Sequence, residues 1–371
     1  TERDESEGFT YKNDVMALKK YPVRSGYLTY GACAYFDEHY MPCCIKLGYN
    51  GETINRPQSQ DPASERKWEF AKWVWKVSVF TYVTLRDHLL STHLIKSNAL
   101  VECSRNKLPI DHVLRTILKP FTFQTIYINS LAGRTLFCKN GLAARVWAFE
   151  DITVVLNDLH EQYSYDDKFV KLEGENEAHF PIGKDYAKLR NIVQSYVEDT
   201  LSLIDFDDTV KSFYKDLVKK LKVTRESGLL ACNIQNLQRV LTHLIINGTG
   251  IHEYVGHISD YQDFPSLTGA KIVQDLLREP TQSYAINTAL TTSTGIIQPK
   301  LLDDWISLLD RLPSGQVRSA KRHYADFKNK LVQMSIDIKN RERAIEDGRN
   351  TAQAFPFPYF SPERLEAAVS K

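Results

Sequence analysis

The chain has 371 residues, with 47 Lys plus Arg against 46 Asp plus Glu and a formal net charge of +1. So even a balance supplies no basic footprint for nucleic acid or for an anionic membrane surface. A composition of 43% hydrophobic and 25% charged residues, with 17 Gly and 14 Pro, excludes wholesale disorder and a multi-span membrane protein and suits a helix-rich globule.

Residues 1–26 read as polar and irregular. Tyr27–Phe36 and Pro42–Leu47 are short, aromatic and β-prone around a turn at Asp37-Glu38-His39, which predicts a hairpin. Asn50–Ser64, with two prolines, reads as a loop. From Glu65 the apolar positions Trp68, Ala71, Val74, Trp75, Val79, Tyr82, Leu85 and Leu89 recur at helical steps, which predicts one long helix to about Ala99 or Leu100. Further helices are expected over Tyr186–Phe206, Ser212–Val223, Asn233–Ile258, Ala270–Leu277, Leu301–Leu312 and Val317–Gly348. Lys171–Gly183 is acidic and loop-like, and Pro356, Pro358 and Pro362 break the end into an extended tail. The expected architecture is mainly α, one helical domain over 61–371 with a small β-hairpin annex in 1–60.

The six cysteines (Cys33, Cys43, Cys44, Cys103, Cys138, Cys232) form no C-x-x-C pair and read as small thiols among apolar neighbours. No signal peptide and no apolar run of about 18 residues is present, so no transmembrane segment is expected. A soluble, cytoplasmic protein is favoured, with secretion behind a removed leader as the other option; the start at Thr1 suggests a trimmed product. The sequon Asn247-Gly248-Thr249 lies in an apolar stretch and reads as silent. The basic set Lys215, Lys219, Lys220, Lys222 and Arg225 alternates with apolar residues and reads as a solvated helix face.

Five of the ten histidines fall in two helical windows, His88-Leu-Leu-Ser-Thr-His93 and His243 to His252-Glu-Tyr-Val-Gly-His257. Both hold an H-x₄-H pair. In a regular α-helix an i,i+5 step turns about 140°, so the two rings do not share a face. A π-bulge brings them to one side. Imidazole suits several transition metals, and two facing helices with such pairs make a metal site inside a helical bundle. Packing histidines are the alternative from spacing alone. His252-Glu253 with His257 has one residue too many for the zinc-protease H-E-x-x-H face; Glu253 remains a candidate neighbour or ligand.

The run from Ala71-Lys72 through His88-Leu-Leu-x-Thr-His93-Leu94, Leu108-Pro109-x-x-His112, Leu118-x-Pro120 and Thr125-x-x-Ile128-Asn129-x-Leu131-Ala132 to Arg134 resembles the lipoxygenase family. Leu241-Thr242 through Ile251-His252 and Val255, Asp326–Leu331, and the hairpin ending at Met41-Pro42-Cys-Cys-Ile45 are similar to further parts of it. The resemblance implies the lipoxygenase catalytic helical bundle, shortened at its amino end. It also implies a non-heme iron or manganese dioxygenase that takes hydrogen from a cis,cis-pentadiene and adds O₂. The family's ligands are two His five apart, a His and usually an Asn four apart, and the terminal carboxylate.

Carried over residue by residue, the match departs from the family. His88 falls on the second ligand position and His252 on the third, while Val83 stands at the first and Gly256 at the Asn position. His93 matches a family histidine that is not a ligand, and Lys371 stands at the terminal position. Lys139 lies close to the position that shapes oxygen access. The expectation is therefore a rebuilt metal site of His88, His93, His252 and His257, with the Lys371 carboxylate as a further candidate, holding non-heme Fe, or Mn or another transition metal. The expected substrate is a small lipid or polyene with O₂, for dioxygenation by default or a repurposed oxidation, isomerisation or cyclisation. A catalytically silent lipoxygenase-fold binding protein is the alternative.

Overall fold

The computed structural model describes residues 2–3, 9–165, 167, 181–256, 269–273, 299–349 and 356–369. Two compact units divide the chain: Thr1–His88, Ser130–Glu161 and His257–Gly295 form one, and Leu89–Asn129, Gln162–Gly256 and Ile296–Lys371 the other.

In the first unit the expected hairpin is the centre of a larger antiparallel sheet. Its five strands, β1 (Glu2–Arg3), β2 (Tyr11–Asp14), β3 (Ala32–Phe36), β4 (Pro42–Leu47) and β5 (Thr53–Asn55), lie in sequence order. The predicted loop over 50–64 thus contains a strand. Helix α1 (Pro62–Tyr82) starts at Asp61, whose carboxylate accepts from the Ser64 and Ala63 amides, with Pro62 in the first turn. It packs on β3, β4 and β5. Tyr30, fully buried, ties three segments: its hydroxyl donates to the Ala270 carbonyl at 2.6 Å and accepts from the Ala148 amide at 2.7 Å. Ile272 O accepts from Leu28 N at 2.8 Å. These bonds hold 269–273 irregular, so the helix expected to begin at Ala270 does not; its remainder, 274–277, lies outside the described residues. Helices α5 (Leu142–Val146) and α6 (Ile152–Glu161) also belong to this unit and are not marked by periodicity.

The second unit is built on α7 (Ile182–Leu201), which packs against α9 (Ile234–Ile246) and α11 (Ser314–Glu346); α2 (Asn98–Lys107) packs against α8 (Asp208–Lys220). Tyr196 and Phe327 stack at 4.3 Å between α7 and α11. Asp207 and Asn233 cap α8 and α9 through the Val210 and Asn236 amides. The predicted helix over 301–312 is a short 3₁₀ turn, Ile306–Arg311, and α3 (Val113–Leu118) was not foreseen. Most of the acidic stretch 171–183 lies outside the described residues. Helix α4 (Thr125–Thr135) carries residues of both units.

The tail 356–369 is not the extended segment its prolines predict: it folds through turns at 359–360 and 362–364, and Phe357, Phe360, Leu365, Ala367, Ala368 and Val369 are buried. It is fastened by polar groups. Arg341 of α11 donates to Asp185 of α7 at 2.7 Å and to the Phe357 carbonyl at 2.8 Å, and Glu342 accepts the Phe357 amide at 2.7 Å. The molecule is thus mainly α with a small amino-terminal sheet. No helix among the described residues is long and apolar enough to cross a membrane.

Candidate metal centre

Helix α1 passes without a break into a π-helical segment, Val83–Ser97, before α2 begins. The expected single bulge is therefore fifteen residues long. A π-turn leaves carbonyls poorly matched along the helix, and side-chain amides supply donors here. Asn98 Nδ2 donates to Leu94 O at 3.1 Å and Asn129 Nδ2 donates to His93 O at 2.8 Å. The second window behaves alike. Helix α9 runs into a π segment, Asn247–Ile251, then into α10 (His252–Gly256), and Thr249 Oγ1 donates to the Ile245 carbonyl at 2.8 Å. Asn247, the sequon residue, is 3% exposed inside this segment.

His88 and His93 stand one π-turn apart on the same unbroken helix. His93 Nε2 lies 2.9 Å from His252 Nε2, with ring centroids 4.8 Å apart. One ligating atom from each of His88, His93 and His252 can be chosen so that all lie within 4.8 Å of one another, and all three residues are buried.

Asn129 determines which nitrogen of His93 is offered. Its amide nitrogen donates to His93 O and to Asn98 Oδ1, at 2.7 Å in the second case, so its Oδ1 faces the ring and accepts from His93 Nδ1–H at 2.9 Å. Nε2 is left with its lone pair toward His252. Burial lowers the His93 pKa to about 4, against a smaller upward pull from the Asn129 bond. The ring is neutral at ordinary pH, which is the ligating form. Three buried imidazoles, with His93 held neutral, fit a first-row transition ion.

His257 and Lys371, the other two expected ligands, lie outside the described residues. Val83 opens the first π segment half-buried, and Gly256 closes α10; neither side chain has a donor atom. Glu253 is buried beside His252 but is not one of the three grouped donors. Lys139 is exposed in a turn. Asn129 was read from sequence only as part of a motif. The signal that would have found it is a lone amide on the apolar side of a helix.

Gly250 explains part of the local sequence. A Cβ there would sit 2.7 Å from Phe360 Cε1 and 2.8 Å from Leu189 Cδ2, both on fully buried side chains. Gly250→Ala is expected to lose about 1–3 kcal/mol through this overpacking, despite alanine's better helix propensity; urea unfolding checks it.

His243, nine residues before His252, has its pKa pulled down to about 3 by burial first, then by Lys96 and Arg190. The folded state keeps it neutral while the unfolded chain protonates it below about 6.5. Its contribution is therefore complete above pH 6.5 and is lost as pH falls toward 3, at up to about 1.4 kcal/mol per pH unit. Urea midpoints measured between pH 7 and 4.5 should fall less steeply for His243→Gln than for the parent.

No family model matches the sequence. Human hydroperoxide isomerase ALOXE3 is 23% identical over 342 residues, 83% of this chain and 46% of the relative. Rat arachidonate 12-lipoxygenase, 12R-type, is 23% identical over 374 residues, 90% of this chain and 50% of the relative. The chain spans about half the length of these relatives. Among solved structures, coral 8R-lipoxygenase superposes with TM-score 0.74 at 16% identity, over 98% of this chain and 59% of that one. Manganese lipoxygenase of Gaeumannomyces graminis gives TM-score 0.74 at 16% identity, over 97% and 70%.

Proposed function

We propose that this chain, lipoxygenase-like in sequence and in fold, is a non-heme metal oxidoreductase acting on a lipid or polyene. The observation that carries the reading is the buried group of His88, His93 and His252 on two π-interrupted helices. These three would hold iron or manganese, with His257 and the Lys371 carboxylate as further candidates. When bound, such a metal supplies the one-electron chemistry needed to take hydrogen from a pentadiene or to rearrange a hydroperoxide.

The chain's own residues do the rest. Asn129 holds the proton on His93 Nδ1 and keeps the ring's other nitrogen inward. Leu90 and Ile95 on the first segment, and Ile245 and Ile246 ahead of the second, are buried, and burial keeps His93 neutral. The relatives are named a lipoxygenase and a hydroperoxide isomerase, and the proposed donor set leaves both kinds of chemistry open to this chain.

The test loads the purified chain anaerobically with ferrous or manganous ion and measures metal content. It then follows O₂ uptake with a pentadiene fatty acid and, separately, loss of a fatty-acid hydroperoxide without O₂. Close to one ion per chain with either activity is the expected result. Metal near zero after loading overturns the reading.

A further inference from the structure

Buried Tyr165 and half-buried His243 form a pair apart from the three grouped histidines. Tyr165 is 2% exposed, its hydroxyl lies 2.6 Å from His243 Nδ1, and the ring centroids are 5.2 Å apart. Lys96 from the first π segment and Arg190 from α7 face His243; Tyr163, Asp167, Tyr186 and Tyr214 surround Tyr165. Both partners are neutral. Burial, with Lys96 and Arg190, holds the imidazole neutral, and in the tautomer that carries its proton on Nε2 the Nδ1 accepts from the phenol. Burial also pushes the phenol far above its usual range, with smaller contributions from Tyr163, Asp167, Tyr186 and Tyr214, so it does not ionise as an acid. A phenol in that position loses its proton only together with an electron, and the acceptor for that proton is already in place.

We propose that Tyr165 and His243 form a redox-active pair, in which Tyr165 gives one electron to a peroxyl-class radical as its hydroxyl proton passes to His243 Nδ1. The phenolic O–H bond breaks and an imidazole N–H bond forms, leaving a neutral tyrosyl radical beside an imidazolium. The peroxyl radical gains the electron and takes a proton from solvent, ending as a hydroperoxide. Aromatic neighbours extend from the metal helix toward the pair. Tyr254, two residues after His252, stacks on Phe360 at 6.2 Å, and Phe360 meets Tyr186 at 6.3 Å. His243 itself lies nine residues before His252, about 13 Å of helical rise. The pair's function is a sink for stray oxidising equivalents. Only the source of the peroxyl radical rests on the proposed lipid oxidation; the pair's own chemistry does not.

The experiment therefore uses the full, metal-free chain and flash-generated tris(bipyridyl)ruthenium(III) as the oxidant, with freeze-quench electron paramagnetic resonance. The parent should give a tyrosyl radical whose pulsed spectrum shows coupling to nitrogen of ¹⁵N-labelled histidine. Tyr165→Phe should lower the radical yield at least tenfold. His243→Gln should slow radical formation at least tenfold and make it pH-dependent, since the proton must then reach water. An equal yield in Tyr165→Phe, or a parent radical without histidine nitrogen coupling, overturns the proposal. The labelling measurement needs no variant and decides the matter even where Tyr165→Phe does not fold.

Discussion

His252→Ala should leave the loaded chain with less than about a tenth of the parent's bound metal at equal free metal, because the donors grouped among the described residues shrink to His88 and His93 and affinity depends on ligand count and form. His252 is fully buried and its Nε2 lies 2.9 Å from that of His93, so alanine removes the donor from the second helix without touching the first. Three companion variants separate loss of the ligand from loss of the fold. Asn129→Leu retains all three histidines but releases His93 Nδ1, and should weaken metal binding about 10–100-fold. Val83→Ala, at the position where the family carries its first histidine, should leave metal content unchanged. His93→Ala should match His252→Ala. Plasma mass spectrometry on dialysed protein, with far-ultraviolet circular dichroism beside it, reads all four. Metal retained in His252→Ala would refute the assignment.

The largest stability effect is expected at Arg341. Its guanidinium bonds Asp185, Glu342 and the Phe357 carbonyl, and the two carboxylates have side chains only 7% and 13% exposed. Burial pushes the Asp185 carboxyl up even with the guanidinium beside it, so the pair is a weak source of net stability. Breaking it is another matter. Arg341→Ala leaves buried carboxylates without their cation and should cost about 3–5 kcal/mol, read as a lower urea midpoint. Because the same arginine holds Phe357, residues 356–369 should also become open to proteolysis. Adding Asp185→Asn should recover part of the stability without restoring protease resistance. A midpoint within experimental error of the parent would show that the network carries no such load.

The helical body was readable because one apolar stripe per helix faces the core, as in α1, α7, α8 and α11. Shorter elements escaped for local reasons. Strand β5 is three residues inside a proline-bearing polar stretch, and it exists only because Ile45 and Lys46 of β4 pair with it. Helix α3 is capped by His112, whose Nδ1 accepts the Leu114 amide, an unusual cap behind Pro109. At 270–273 tertiary bonds to Tyr30 and Leu28 override a plausible helical pattern. The candidate site was legible in part. The H-x₄-H spacing announces a π-turn, but periodicity does not report hydrogen-bond register, so the length of the π segment was not visible. Nor was the approach of His93 to His252, which depends on packing between residues 159 positions apart.

A helix that already holds surplus residues per turn is a length buffer. Four residues of α-helix advance about 400°, and five of π-helix about 410°. Removing one residue between His88 and His93, Ser91 for example, allows Val83–Ser97 to tighten locally while both imidazoles still face the same way. Adding one has no comparable outlet. Tolerance to deletion but not to insertion is thus written into the stretch that carries the candidate ligands.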